Sequence, residues 1–202
     1  MILKTKQIGF TLIEIMISLV LGLLITGGAF SYFLSTMKTS KALLSQSKLQ
    51  QEIRSTASLM QRDLRRAGYT PVGNANEAEV KSIWLGKTDN TLTDNNCVIY
   101  RYIDERGNLR NSGFLLHTDK KIYMKTTGLA NTCSKDANWS AVTSANNVEV
   151  TDFRVEYFPS NRPSILITLS SRLSNDIDVT LPISQRIVLQ NAPTLGIAIS
   201  GS

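Results

Sequence analysis

Gly9-Phe10-Thr11-Leu12-Ile13-Glu14 stands between a short leader carrying Lys4 and Lys6 and an uncharged run from Ile15 to Met37. That run is rich in Ile, Leu, Val, Phe and Gly, and it exceeds the roughly 20 apolar residues that a helix needs to cross a bilayer. An acid inside such a span is expensive, about 2.5–3.5 kcal/mol at a helix centre on insertion scales. Glu14 lies near the end of the span, where the cost is lower, but it still calls for a positive partner. A new chain N-terminus made by cutting after Gly9 would supply an amine.

Two plainer readings compete. A secretory signal peptide would have a shorter apolar core and a small-residue cleavage site after it. Here the basic leader meets Gly and an acid at once, and the pattern behind the run continues as helix. A simple single-pass anchor leaves the position of Glu14 unexplained.

Beyond Met37 the pattern turns amphipathic. Leu49, Ile53, Ala57, Met60, Leu64 and Ala67 recur at spacings of three and four, which places them on one helical face. Arg54, Gln61, Arg62, Asp63, Arg65 and Arg66 are expected on the other faces. Arg65 and Arg66 suit a last helical turn, Gly68 suits the left-handed position after it, and Pro71 blocks continuation. One helix is therefore expected from about Phe10 to Ala67. Gly22, Gly27 and Gly28 allow close helix packing or local melting, or reflect the general tolerance of membrane helices for glycine.

The Gly9–Glu14 string resembles the processing site of type IV pilins and type II secretion pseudopilins. The resemblance implies that a prepilin peptidase cuts between Gly9 and Phe10 and methylates the new N-terminus at Phe10. It also implies that Glu14 meets the N-terminal amine of a neighbouring subunit and sets assembly register. Gly22-Leu23-Leu24, Leu49-Gln50-Gln51-Glu52-Ile53-Arg54 and Arg62-Asp63-Leu64-Arg65-Arg66-Ala67-Gly68-Tyr69 are similar to the long helix of PilW-type minor pilins. Ile8 stands where many members have Lys or Arg, and no proline interrupts residues 10–37. The implied partners are the prepilin peptidase, other minor and major pilins, the inner membrane and the pilus assembly platform.

The remaining two thirds read as β structure. Strand-like runs cover 80–85, 97–103, 114–117, 121–125, 148–158, 165–171 and 177–189, separated by turn residues such as Arg106-Gly107-Asn108. Pro182 marks the last run as an edge strand or a bulge. Residues 128–147 read as irregular. The expected fold class is α+β, with a long N-terminal helix packed on a mainly antiparallel β domain of pilin-like type. Its parts are a leader at 1–9, a membrane and assembly helix at 10–37 and an amphipathic continuation at 38–68. A periplasmic β-rich domain at 69–191 and a flexible tail at 192–202 follow.

Cys97 and Cys133 are the two cysteines of the 202-residue chain. An even count behind a membrane-targeting segment points to a disulfide in an oxidising compartment; two unpaired thiols are the alternative. With one histidine, His117, they do not make up a four-ligand metal site. The net charge of +6 is mild and spread out. It permits contact with anionic lipid or nucleic acid without demanding either. Arg62, Arg65 and Arg66 with Tyr69 form a candidate DNA patch, or a solvated helix end favoured by the helix dipole. His117 sits in an apolar run and reads as structural. No catalytic triad, HExxH string or phosphate-binding loop occurs, so no enzyme activity and no cofactor are expected.

The leading function is a structural minor pilin, located in the inner membrane with its C-terminal domain periplasmic and on the pilus after assembly. It would prime assembly or lie near the tip. The alternatives are a J-type pseudopilin of type II secretion and a competence-pilus component that contacts DNA.

Overall fold

The computed structural model describes residues 9–71, 80–89, 94–144, 148–174, 176–191, 193–196 and 199–200. Most of the expected leader, including Lys4 and Lys6, and parts of the expected tail lie outside the described residues. The chain divides into two units, Met1–Leu44 and Ser45–Ser202. Helix α1 (Leu12–Leu64) is continuous across that division.

In the first unit every described residue is exposed to solvent in the single chain. Gly22, Gly27 and Gly28 are all helical, so no melted stretch interrupts the apolar segment.

In the second unit the remainder of α1 supplies Leu49, Ile53, Ala57, Met60 and Leu64 to the core, and Ala67 follows just beyond the helix end. These are the six positions that the spacing assigns to one face. Each large aliphatic side chain buried there contributes about 1.5–3 kcal/mol relative to exposure. The helix stops slightly earlier than Ala67. Arg66 and Ala67 donate to the carbonyls of Asp63 and Leu64 at 3.0 Å, tightening the last turn into 3₁₀ geometry. Gly68 then takes φ +75°, the left-handed conformation that glycine adopts without penalty.

The strands are β1 (Ser82–Lys87), β2 (Cys97–Ile103), β3 (Leu109–Leu116), β4 (Ile122–Lys125), β5 (Trp139–Ala141), β6 (Val148–Phe158), β7 (Ser164–Leu173), β8 (Asp176–Val188), β9 (Thr194–Leu195) and β10 (Ile199–Ser200). One sheet has the order β10-β1-β2-β3-β4-β5, with β9 also pairing with β1. The other is the antiparallel ribbon β6-β7-β8. The main core joins the helix face to both sheets, through residues such as Tyr100, Phe114, Phe153 and Ile165. This is the expected α+β arrangement.

β2 is buried on both faces over Cys97–Tyr100. Alternation sends Val98 and Tyr100 toward the helix, and Cys97 and Ile99 into a second cluster with Leu115, Tyr123, Cys133 and Trp139. The disulfide Cys97–Cys133 closes that second cluster. The 36-residue separation of its ends corresponds to roughly 4 kcal/mol of loop-closure stabilisation in the chain-entropy model.

Several details differ from the sequence reading. β3 starts at Leu109, ahead of the expected run at 114–117. β5 lies inside the stretch read as irregular. It has three residues, too few for an alternating pattern to register. In β6 the buried set changes from even positions, Val148 and Val150, to odd ones, Phe153 and Val155. A bulge between Val150 and Asp152 makes the change, because one extra residue flips every later side chain. The expected flexible tail instead contributes β9 and β10, both parallel to β1. Thr194 and Gly196 donate to the Lys81 and Ile83 carbonyls at 2.8 Å. Pro182 does fall on an edge strand, since β8 pairs with β7 alone among the described residues.

Gly68 provides a test of the helix stop. An added Cβ would meet Asn191 at 3.3 Å in a backbone conformation unsuited to L side chains. Gly68→Ala is expected to cost about 1–2 kcal/mol, read as a lower urea midpoint by tryptophan fluorescence. An unchanged midpoint would show that the stop does not depend on this glycine.

Candidate functional site

Gly9, Phe10 and Thr11 precede the first helical turn and are not helical. Thr11 offers the first helical carbonyl, accepting from the amides of Glu14 at 3.1 Å and Ile15 at 3.3 Å. The bond between Gly9 and Phe10 therefore lies in exposed, non-helical backbone, a form that a peptidase can take into its site. Phe10 itself is 80% exposed. Glu14 occupies the first turn of α1, where the positive end of the helix dipole favours an anion.

Behind Glu14 the large side chains from Ile15 to Met37 are all exposed. A monomeric soluble protein seldom exposes more than a few hundred Å² of continuous apolar surface. This segment therefore needs lipid or other helices around it. Its polar groups are compatible with that setting. The Thr26 hydroxyl donates to the Gly22 carbonyl at 2.8 Å, and that of Thr36 donates to the Tyr32 carbonyl at 3.0 Å. An added Cβ on Gly22, Gly27 or Gly28 would meet nothing within 4 Å, so nothing in the folded chain itself demands glycine at these positions.

The second feature is the end of α1. Asp63, expected on a solvated face, is 5% exposed. Its Oδ2 accepts hydrogen bonds from the Tyr100 hydroxyl and, at 2.6 Å, from the Ser112 hydroxyl. Its Oδ1 lies 3.2 Å from Arg66 Nη1. Burial, with the Asp63 charge beside it, pushes the Tyr100 hydroxyl well above its ordinary range, so it remains a donor. Arg66 also stacks on the Tyr102 ring at 4.1 Å. Next, the Gly68 amide donates to the Arg101 carbonyl, and the Ile103 amide donates to the Tyr69 carbonyl, each at 2.8 Å. Asn191 Nδ2 reaches the Ala67 carbonyl at 3.1 Å and caps the helix from far along the chain. The Arg-Asp-Leu-Arg-Arg-Ala-Gly-Tyr segment is thus a docking joint between helix and sheet. Periodicity alone did not reveal Asp63; a short acidic side chain one position before a core leucine was the available signal.

Arg62, Arg65, Arg66 and Tyr69 line one open cleft of about 830 Å³. Asp104 and Glu105 line it too and offset the arginines. His117 belongs to a polar knot on the other side of the sheet. Its Nδ1 lies 3.2 Å from Asp119 Oδ1, while the Tyr123 hydroxyl donates to Asp119 Oδ2 at 2.5 Å. Lys135 donates to the Tyr123 oxygen at 2.8 Å, tying the strand region to the segment after Cys133. Burial raises the Asp119 carboxyl, but the hydrogen bonds from Tyr123 and His117 outweigh it and hold the group below its usual range. Among the described residues no three His, Cys, Asp or Glu side chains gather as a metal site.

The joint makes a clear expectation. Asp63→Ala leaves two buried hydroxyls without their acceptor, at a cost of about 1–3 kcal/mol for each. Tyr100→Phe removes one donor and should cost less than Asp63→Ala. Chemical denaturation of the two variants measures both losses. Equal stability of Asp63→Ala and the parent would rule out a structural role for the carboxylate.

The prokaryotic N-terminal methylation motif matches residues 4–30, across the processing string and the start of the apolar helix. A second family model, described as prepilin peptidase-dependent protein B, matches residues 42–189 and so takes in the joint, both main sheets and the disulfide. Comparison with curated proteins and with solved structures gave no match. With most of its length matched by that model and a methylation motif at its front, the chain belongs to the prepilin peptidase-dependent protein B family and is a type IV pilin-like prepilin.

Proposed function

We propose that this prepilin is a structural minor pilin of a type IV pilus, of the PilW type. Prepilin peptidase cuts it between Gly9 and Phe10 and methylates Phe10. Residues 10–37 hold it in the inner membrane with the β domain in the periplasm. The same segment then leaves lipid for the packed helices of the filament, where the subunit primes assembly or sits near the tip. It has no catalytic duty of its own. The observation that carries this reading is the fully exposed apolar segment with a single acid at its front.

Glu14 has a stated task in this scheme. Among packed helices an unpaired carboxylate is penalised, and pairing with the amine of a neighbouring Phe10 removes the penalty while setting axial register. Glu14→Ala is expected to leave processing intact, with mass spectrometry still finding N-methyl-Phe10 as the first residue. Its amount in sheared filaments should fall severalfold. Normal incorporation would defeat the pairing role, and a mature chain that starts elsewhere would defeat the cleavage assignment.

A J-type pseudopilin of type II secretion would use the same leader, helix and joint. Deleting the gene separates the two: loss of surface pili with normal protein export supports the pilus, and the reverse outcome transfers the chain to the secretion machine. A direct DNA role would rest on Arg62, Arg65, Arg66 and Tyr69, and the carboxylates beside them weaken it.

A further inference from the structure

From Ile15 to Gln51 the chain contains no acid. Its first charges after Glu14 are Lys38 and Lys41, both exposed. They follow an exposed aromatic band, Phe30, Tyr32 and Phe33. Phe30, Leu34, Lys38 and Lys41 are spaced by four, four and three, so an apolar stripe on one helix face runs directly into the two lysines.

The lengths fit a membrane boundary. Aromatic side chains prefer the edge of the hydrocarbon layer, with basic residues just outside it. The headgroup layer is about 5–7 Å deep on each side of a core roughly 30 Å thick. At 1.5 Å per residue, Lys38 and Lys41 lie about 7.5 and 12 Å beyond Phe33, the last residue of the aromatic band, and a lysine side chain reaches back about 6 Å. Long helical side chains lean toward the helix N-terminus, which here is the bilayer side. Both ammonium groups therefore reach back into the headgroup layer. Lys48, about 22 Å of helix beyond Phe33, does not.

We propose that Lys38 and Lys41, beneath the aromatic band, form a docking site for the phosphate groups of anionic phospholipids in the leaflet facing the C-terminal domain. This rests on the membrane-spanning reading of residues 10–37. The site holds the resting subunit at a defined depth before it enters a filament. Two strongly basic side chains with no acid nearby favour an anionic headgroup over a zwitterionic one, and salt screens the preference.

The full chain, reconstituted in phosphatidylcholine bilayers, is probed with spin-labelled phosphatidylglycerol and spin-labelled phosphatidylcholine by electron paramagnetic resonance. The expected result is a roughly twofold or greater preference for phosphatidylglycerol at low salt, lost at 1 M salt. Lys38→Gln/Lys41→Gln should abolish most of it, and Lys48→Gln should retain it. The difference between parent and double variant is the reading, because Lys4 and Lys6 of the leader act in both. Equal preference in parent and double variant overturns the proposal, as does an equal loss in Lys48→Gln. Absence of any preference in the parent also overturns it and leaves an acidic face of another subunit as the partner. Alkaline extraction tests the underlying reading separately: a chain that leaves the bilayer removes the membrane span, and this site with it.

Discussion

The carboxylate of Asp63 fixes how the helix meets the sheet. A helix with an apolar stripe can rotate or slide by a residue at modest cost, because dispersion and burial are not directional. Hydrogen bonds are directional. With Tyr100 from β2 and Ser112 from β3 both donating to one carboxylate oxygen, the helix end has one rotation and one height over the sheet. Leu64 and Ala67 then fall into the core, Gly68 turns the chain, and Tyr69 continues along β2. A buried acid is a poor source of stability and a good source of uniqueness when its partners are complete.

Much of this domain was legible because burial leaves a periodic trace. The helical spacing gave all six apolar positions of the joint, and the β6 run matched its observed limits. Gly68 was legible for a different reason: few residues tolerate the conformation that ends a helix. Asp63 was not, since a polar residue carries no mark of the hydroxyls that will meet it from 37 and 49 positions away. The bulge in β6 did leave a trace, the change of apolar positions from even to odd after Val150, but a strand assigned as one continuous run passes over it. The short strands β5, β9 and β10 draw their definition from the strands they pair with, so nothing local announces them.

The candidate site divides along the same line. Gly9, Phe10 and Glu14 stand out in the sequence because an acid beside an apolar span is chemically anomalous, and the structure adds an exposed, non-helical peptide ahead of the first turn. The lysines at the far end of the span are quieter. They gain meaning from their distance past the aromatic band, which is a matter of length rather than of motif.

The capping of the helix by Asn191 bears on the order of events in folding. The bonded groups lie 124 residues apart, so closing that contact is entropically slow and needs nearly the whole chain. A subunit with a finished helix end is, by construction, one whose β domain has already closed.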